Sequence, residues 1–240
     1  MFIRYAALAK ARGGRVLVAP QASLAGVLAT CPGVDEVVLS GAPMPPFDLQ
    51  VLLLSLPWVF RTDLDSIPDA VPYLAVPLFV PNRQAITEVL ARSEGQVRIG
   101  LVWAGNPDHK RDQARSIDPA RLAPLAALPG VAWHSFHMGP EQPPLPGVVS
   151  LHPLLSNFSD TALALDSMDL LITVDTAMAH LAGAMGIPTL LLLDAFLDFR
   201  WMMGRGDSPW YPTLSLHRQE IQGDWESVLG CLLVELGNQS

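Results

Sequence analysis

The sequence predicts an α/β protein: parallel sheets covered by helices, in two lobes of which the first is incomplete. Three observations predict it. Strand and helix signals alternate along the chain, the pattern of a parallel sheet with helices on its faces. Half of the 240 residues are apolar and 16% are charged, which suits a large buried sheet and excludes a disordered or fibrous chain. The order opens on a helix, Phe2 to Ala11, whereas a doubly wound lobe opens on a strand, so the first lobe is expected to lack its first element.

After that helix, Arg15 to Val18 reads as a short strand, Ser23 to Thr30 as a helix, Glu36 to Leu39 as a strand and Leu49 to Leu54 as a buried strand. Prolines crowd the segment from Gly41 to Pro81 and mark irregular loops that stop long helices. A helix follows from Asn82 or Arg83 to Arg92, and Ser93 to Gly95 reads as a hinge. The lobes are therefore placed at residues 1–94 and 95–240.

The second part alternates more cleanly. Strand Val97 to Trp103 leads through loop Ala104 to Ile117 into helix Pro119 to Leu128. Asp118 is its N-cap carboxylate, with proline at the first helical position. Strand Val131 to Phe136 precedes a proline-rich loop through Pro146 and a helix from Ser159 to Ser167. Strand Leu170 to Val174, helix Thr176 to Met185 and strand Thr189 to Leu193 come next. A long loop with Trp201, Trp210 and Tyr211 leads to a strand near Leu214 and a helix from Asp224 to Leu236.

The formal charge is -8 and no basic run exists, so the chain has no electrostatic footprint for nucleic acid. A small anionic ligand remains compatible where a few cations cluster. Cys31 and Cys231 lack metal-ligand spacing, so neither a disulfide framework nor a metal site is read. The N-terminus has no signal-peptide pattern. Asp175, His180 and Pro188 interrupt the most apolar stretch, which therefore does not read as a membrane span. A soluble cytoplasmic protein is the expectation.

In an open parallel sheet ligands bind beyond the carboxyl ends of the strands, and three turns there are candidates. The first is Trp103-Ala104-Gly105-Asn106-Pro107, followed by His109, Lys110, Arg111 and Arg115. It reads either as a solvated connector or as an anion site using Lys110 or Arg115. The second is Asp175-Thr176-Ala177-Met178-Ala179-His180, where Asp175 reads as the helix N-cap. The free first-turn amides of Thr176, Ala177 and Met178, with the Thr176 hydroxyl, would touch phosphates. His180, one turn deeper, is either a core histidine bonded to a backbone carbonyl or part of the site. The third is Ser135 to Gly139, where a base or ribose could lie against backbone. The aromatic loops at Asp198 to Trp201 and Ser208 to Pro212 are expected to pack on the core rather than stack a base.

Asp63-Leu64-Asp65 resembles a metal-binding carboxylate pair but lies among prolines. No Gly-x-Ser-x-Gly elbow, Walker loop or Gly-x-Gly-x-x-Gly fingerprint is present.

Taken together, Gly100-Leu-Val-Trp-Ala-Gly-Asn-Pro107, Arg115-Ser-Ile117, the run Leu170 to Ala184, Asp207-Ser-Pro-Trp-Tyr-Pro212 and Gly223-Asp-Trp225 resemble glycosyltransferase family 9, the heptosyltransferase-like family. The likeness is to the version found C-terminal to tetratricopeptide repeats in bacteria. The resemblance implies a GT-B fold of two Rossmann-like lobes, the acceptor lobe first and the donor lobe second. It implies inverting transfer from a nucleotide-diphosphate sugar, with no metal and no further cofactor, to an acceptor of unspecified kind, protein or glycan. It places the diphosphate at Asp175-Thr176-Ala177 and supports roles for Lys110, Arg115 and His180. Ala177 and Met178 stand where heptosyltransferases have glycine and leucine, which leaves the sugar open.

In relatives a strand and a glycine-aspartate loop precede the segment matching Phe2 to Tyr5, and that aspartate is the expected general base, a group that contributes 10² to 10⁴ in rate. The chain is therefore read as N-terminally shortened, and no catalytic residue is assigned; neither Asp48 nor Asp63 is a clear substitute. Three readings stand: a glycosyltransferase, a non-catalytic nucleotide-sugar-binding or interaction module, and an epimerase of related fold.

Overall fold

A computed structural model describes residues 1–138 and 145–237. Helix α1 (Tyr5–Ala11) is entered through a 3-10 turn at Phe2–Arg4. Strand β1 (Leu17–Val18), helix α2 (Ala25–Leu28) and strand β2 (Glu36–Val37) follow, with β1 and β2 paired in parallel as a two-stranded sheet. The predicted strand at Leu49–Leu54 does not form. Its place is taken by irregular backbone, a 3-10 turn at Leu53–Ser55 and helix α3 (Leu56–Val59), with Pro57 in its first turn. Leu49 is 91% exposed. An apolar run becomes a strand only where a neighbouring strand accepts its backbone hydrogen bonds, and β1 and β2 pair only with each other.

Helix α4 (Arg83–Ala91) leads into the main sheet. Its strands are β3 (Val97–Val102), β4 (Val131–Ser135), β5 (Val148–Ser150), β6 (Leu170–Val174), β7 (Thr189–Leu193) and β8 (Leu214–Arg218). All pair in parallel, in the order β5-β4-β3-β6-β7-β8. The intervening helices are α5 (Asp112–Arg115), α6 (Ala123–Ala126), α7 (Phe158–Asp166), α8 (Ala177–Met185) and α9 (Trp225–Gly237). The helix expected at Pro119–Leu128 is split. Asp118 caps its start as predicted, accepting from the Ala120 amide at 3.0 Å, but a 3-10 turn at Pro119–Leu122 precedes α6. Pro124, which has no N–H to donate, falls where α6 begins. Strand β5 was not foreseen, and Gly139 and much of the proline-rich loop before it lie outside the described residues.

Helices cover both faces of the main sheet, and its central strands show why. Leu171, Leu191 and Leu193 enter one apolar core with Tyr5, Ile86, Leu165, Ala182 and Tyr211. Ile172, Val174, Leu190 and Leu192 enter the other with Trp103, Leu125, Trp225 and Leu229. Successive residues alternate between faces as strand geometry requires, so both faces are apolar and both are covered. The first core also runs across residue 94, joining the N-terminal helices to α7 and α8.

Candidate functional site

The strand order reverses between β3 and β6. Connections leave these two strands in opposite directions, and a crevice opens at their carboxyl ends. A cavity of about 460 Å³ lies there, lined by His109, Arg111 and Arg115 from the loop after β3, and by Asp175, Thr176, Ala177 and His180 from the turn after β6. Asp194, Phe196, Asp198, Arg200 and Trp201 from the loop after β7, and Arg218 at the end of β8, complete it.

The turn after β6 is built from the strand outward. Four buried residues of β6 run into Asp175, and the helix cap is the next residue. Thr176 has extended backbone, and its hydroxyl accepts from the Met178 amide at 3.2 Å. This corrects the expectation that Asp175 is the N-cap. The carboxylate of Asp175 is drawn instead to Arg200, whose Nη2 donates to its Oδ2 at 2.6 Å. The correction also removes Met178 from the ligand-facing set, since its amide is used by the cap and its side chain is buried. Thr176 and Ala177 remain at the cavity wall. Helix α8 ends at Gly186, with φ 75° in the left-handed region that favours glycine.

Four arginines face this small volume, and their partners differ. Arg111 forms a two-point pair with Asp194, 3.0 and 2.9 Å, and lies over the Phe196 ring at 4.9 Å. Arg115 is held by Asp112 at 3.1 Å and donates through Nη1 to the Asp175 carbonyl at 2.6 Å. Arg218 donates to the carbonyls of Asp194, Phe196 and Met202, bracing the loop that follows β7. Arg200 binds both carboxylate oxygens of Asp198 at 2.8 and 2.9 Å, as well as Asp175.

Burial pushes the Asp175 carboxyl above the usual range, against the pull of Arg200 and the Trp201 indole. Burial pushes Asp198 the same way, but bonds from the Arg200 side chain and backbone outweigh it and hold Asp198 low. Burial also lowers Arg200, and its two carboxylate partners more than restore it. His180 is held well below its ordinary value by burial, with the N-terminal amine and Arg200 adding to the effect. It is neutral, stacked on Trp201 at 5.1 Å between ring centres.

The residues named from sequence are therefore divided. Arg115, Asp175, Thr176, Ala177 and His180 line one cavity. Gly105 lies beneath Arg115: a Cβ there would sit 2.7 Å from the guanidinium carbon, so the glycine permits the arginine's approach. Asn106 shapes its own loop, its Oδ1 accepting from the Asp108 amide at 3.0 Å. Lys110 is exposed on that loop and lies outside the lining. Ser135 is buried, accepting from the His137 amide at 3.2 Å. His180 bonds the Tyr211 hydroxyl and Arg200 rather than a backbone carbonyl. Sequence reading missed Arg200, Asp194, Asp198 and Arg218. The available signal was the Asp198-Phe-Arg-Trp201 run in a loop at the sheet's ligand-binding edge.

The six-stranded parallel sheet and the crevice at its switch point are the architecture of a GT-B glycosyltransferase lobe, and comparison with solved structures shows that fold. The chain is similar to the crystal structure of the glycosyl transferase family 9 from Veillonella parvula, with a TM-score of 0.61 and 15% identity over 96% of this chain and 85% of that one. It is similar also to the E. coli ADP-heptose LPS heptosyltransferase II, with a TM-score of 0.59 and 12% identity over 99% of this chain and 96% of that one. At these identities the likeness is one of fold, and it agrees with the family resemblance carried by the motifs. By sequence the chain is 28% identical over 144 residues to Protein FlbA of Caulobacter vibrioides, covering 55% of this chain. The match spans about a quarter of that relative's length, 24%. No family model matches the chain. Among the described residues no helix is long and apolar enough to cross a membrane, and no histidine, cysteine and carboxylate cluster could hold a metal.

Proposed function

We propose that the cavity at the switch point binds the diphosphate of a nucleotide-sugar, and that the chain is a glycosyltransferase-like protein with an acceptor-side part at 1–94 and a donor-side part at 95–240. The observation that carries the reading is the start of α8 at the cavity wall, faced by Arg111, Arg115 and Arg200. A helix N-terminus offers unpaired amides and the positive end of the helix dipole to an anion. Arginine forks suit phosphate oxygens. A nucleotide would lie with its diphosphate across Thr176 and Ala177, its base toward the ends of β3 and β4, and its sugar toward the N-terminal part. Transfer in this frame is inverting and needs no metal, because arginines and amides supply the positive field for the leaving diphosphate. The acceptor is a protein or glycan.

A second reading is favoured by one observation. The three carboxylates that line the cavity, Asp175, Asp194 and Asp198, are all paired with arginine. Against burial, bonds from Arg200 hold Asp198 low and make it a weak general base, while Asp194 and Asp175 have oxygens engaged by Arg111 and Arg200. Asp63 is occupied as a cap, accepting from the Ser66 amide at 3.0 Å. Binding without transfer is therefore the alternative.

Calorimetric titration with ADP, UDP, GDP and their sugars tests the donor site. Saturable binding of at least one is expected, and a folded sample that binds none refutes it. Turnover with a panel of acceptors then separates the two readings.

A further inference from the structure

We propose that His180 is a positioning residue for the anion cavity: fixed by Tyr211 in its Nδ1–H form, it uses the Nε2 lone pair to hold the Arg200 guanidinium with one N–H left for a ligand. The inference rests on the donor-site reading for the identity of the ligand, but not for the geometry.

Proton positions along this chain of contacts follow from which groups can only donate and which can only accept. Arg200 Nη1 lies 2.9 Å from His180 Nε2. A guanidinium has no acceptor, so Nε2 must carry the lone pair and Nδ1 the proton. Nδ1–H then donates to the Tyr211 hydroxyl at 3.0 Å. Burial raises the pKa of the Tyr211 hydroxyl, and Tyr73 lies close enough to help raise it. Tyr73 accepts from Arg4 Nη2 at 3.1 Å and passes its own proton to the Met1 carbonyl at 3.3 Å. The relay runs from Arg200 through His180 to the Tyr211 hydroxyl without a conflict.

The other end shows what the relay fixes. A guanidinium has five N–H groups. Nε–H and one Nη2–H of Arg200 bind Asp198, the second Nη2–H binds Asp175, and one Nη1–H binds His180. The remaining Nη1–H has no partner among the described residues, and Arg200 lines the cavity. With both carboxylates on the Nε and Nη2 side, His180 is the contact that occupies Nη1.

The packing is arranged to allow this. Tyr211 is buried against α8 at Gly183, where a Cβ would stand 2.5 Å from the ring. Trp201 stacks on the imidazole, and its ring centre lies 6.3 Å from that of Tyr211. An ordinary side chain at 183 would push Tyr211 away from His180.

Nitrogen-15 correlation of the histidine rings in the full chain reads the tautomer directly. His180 is expected to show a protonated Nδ1 and a bare Nε2, and Tyr211→Phe, which removes the acceptor for Nδ1–H but leaves Arg200 at Nε2, is expected to raise the share of the other tautomer without making it dominant. Calorimetry with ADP, UDP and GDP reads the consequence. His180→Leu is expected to weaken binding about tenfold, as for one charge-assisted hydrogen bond. His180→Gln, whose amide oxygen can accept from Arg200, should recover most of the loss. A proton on Nε2 of the wild-type ring overturns the proposal whatever binds, and so does wild-type affinity in His180→Leu. The expected tautomer in a protein that binds no nucleotide would support the relay and overturn the donor-site reading.

Discussion

Arg200 and Asp175 meet at 2.6 Å, joining the loop after β7 to the turn before α8, 25 residues apart in sequence. Their side chains are mostly buried, at 24% and 16% exposure. The contact offsets part of the effect of burial on the Asp175 carboxyl and places a guanidinium beside the helix start.

Arg200→Ala leaves Asp175 and Asp198 in place without their shared cation. Removing one partner of a buried pair costs the desolvation of the group left behind, about 1–3 kcal/mol. The variant is expected to unfold at lower urea concentration, and Asp175→Asn in the same chain should return much of the loss. Equal midpoints for Arg200→Ala and wild type would show that the pair contributes nothing.

Thr176→Ala tests which residue caps α8. Loss of a threonine cap costs roughly 1 kcal/mol, read as a lower melting temperature, whereas Thr176→Ser keeps the hydroxyl and should melt close to wild type. The start of α8 forms the cavity wall, so the alanine variant should also bind nucleoside diphosphates more weakly. Unchanged stability in Thr176→Ala would contradict the cap.

The segment from Leu170 to Met185 was legible because its signals are local: a continuous apolar run, then a polar pair, then small residues at helical spacing. Leu49 to Leu54 carries an equally apolar run and forms no strand, because pairing depends on a neighbour elsewhere in the chain. The site divides along the same line. Thr176 and Ala177 sit at a local strand-to-helix turn that the sequence shows, and they line the cavity. Asp175 was found but given the wrong task, since its partner Arg200 is remote in sequence. Arg200 itself was passed over because its meaning lies in three partners, Asp175, His180 and Asp198, of which only Asp198 is a neighbour in sequence.

Gly183→Ala sets two known effects against each other. Alanine is favoured over glycine inside a helix by about 1 kcal/mol, which alone would stabilise α8. The added Cβ would meet Tyr211 ring atoms at 2.5 and 2.6 Å, and overpacking of this kind costs about 1–3 kcal/mol. Net destabilisation is expected, together with a larger share of the other His180 tautomer as Tyr211 moves from Nδ1. A more stable Gly183→Ala protein would mean that Tyr211 does not press on the helix.

Four histidines, His134, His137, His180 and His217, are each lowered from 6.5, with burial the main cause. In the unfolded chain each takes up a proton near its ordinary value, while the folded chain does not until lower pH. Between those values the unfolded state binds more protons, so stability falls as pH falls. The contribution is complete above 6.5 and is lost progressively toward the folded values. Asp175 has the opposite sign: its folded value is raised above 3.8, so its protonation favours the folded state on acidification. One carboxyl set against four imidazoles does not reverse the trend. The melting temperature is expected to decline from about pH 7.5 to about pH 5.5, with a shallower decline in His180→Gln. A flat profile across that range would show that these histidines accept protons in the folded protein as readily as in the unfolded chain.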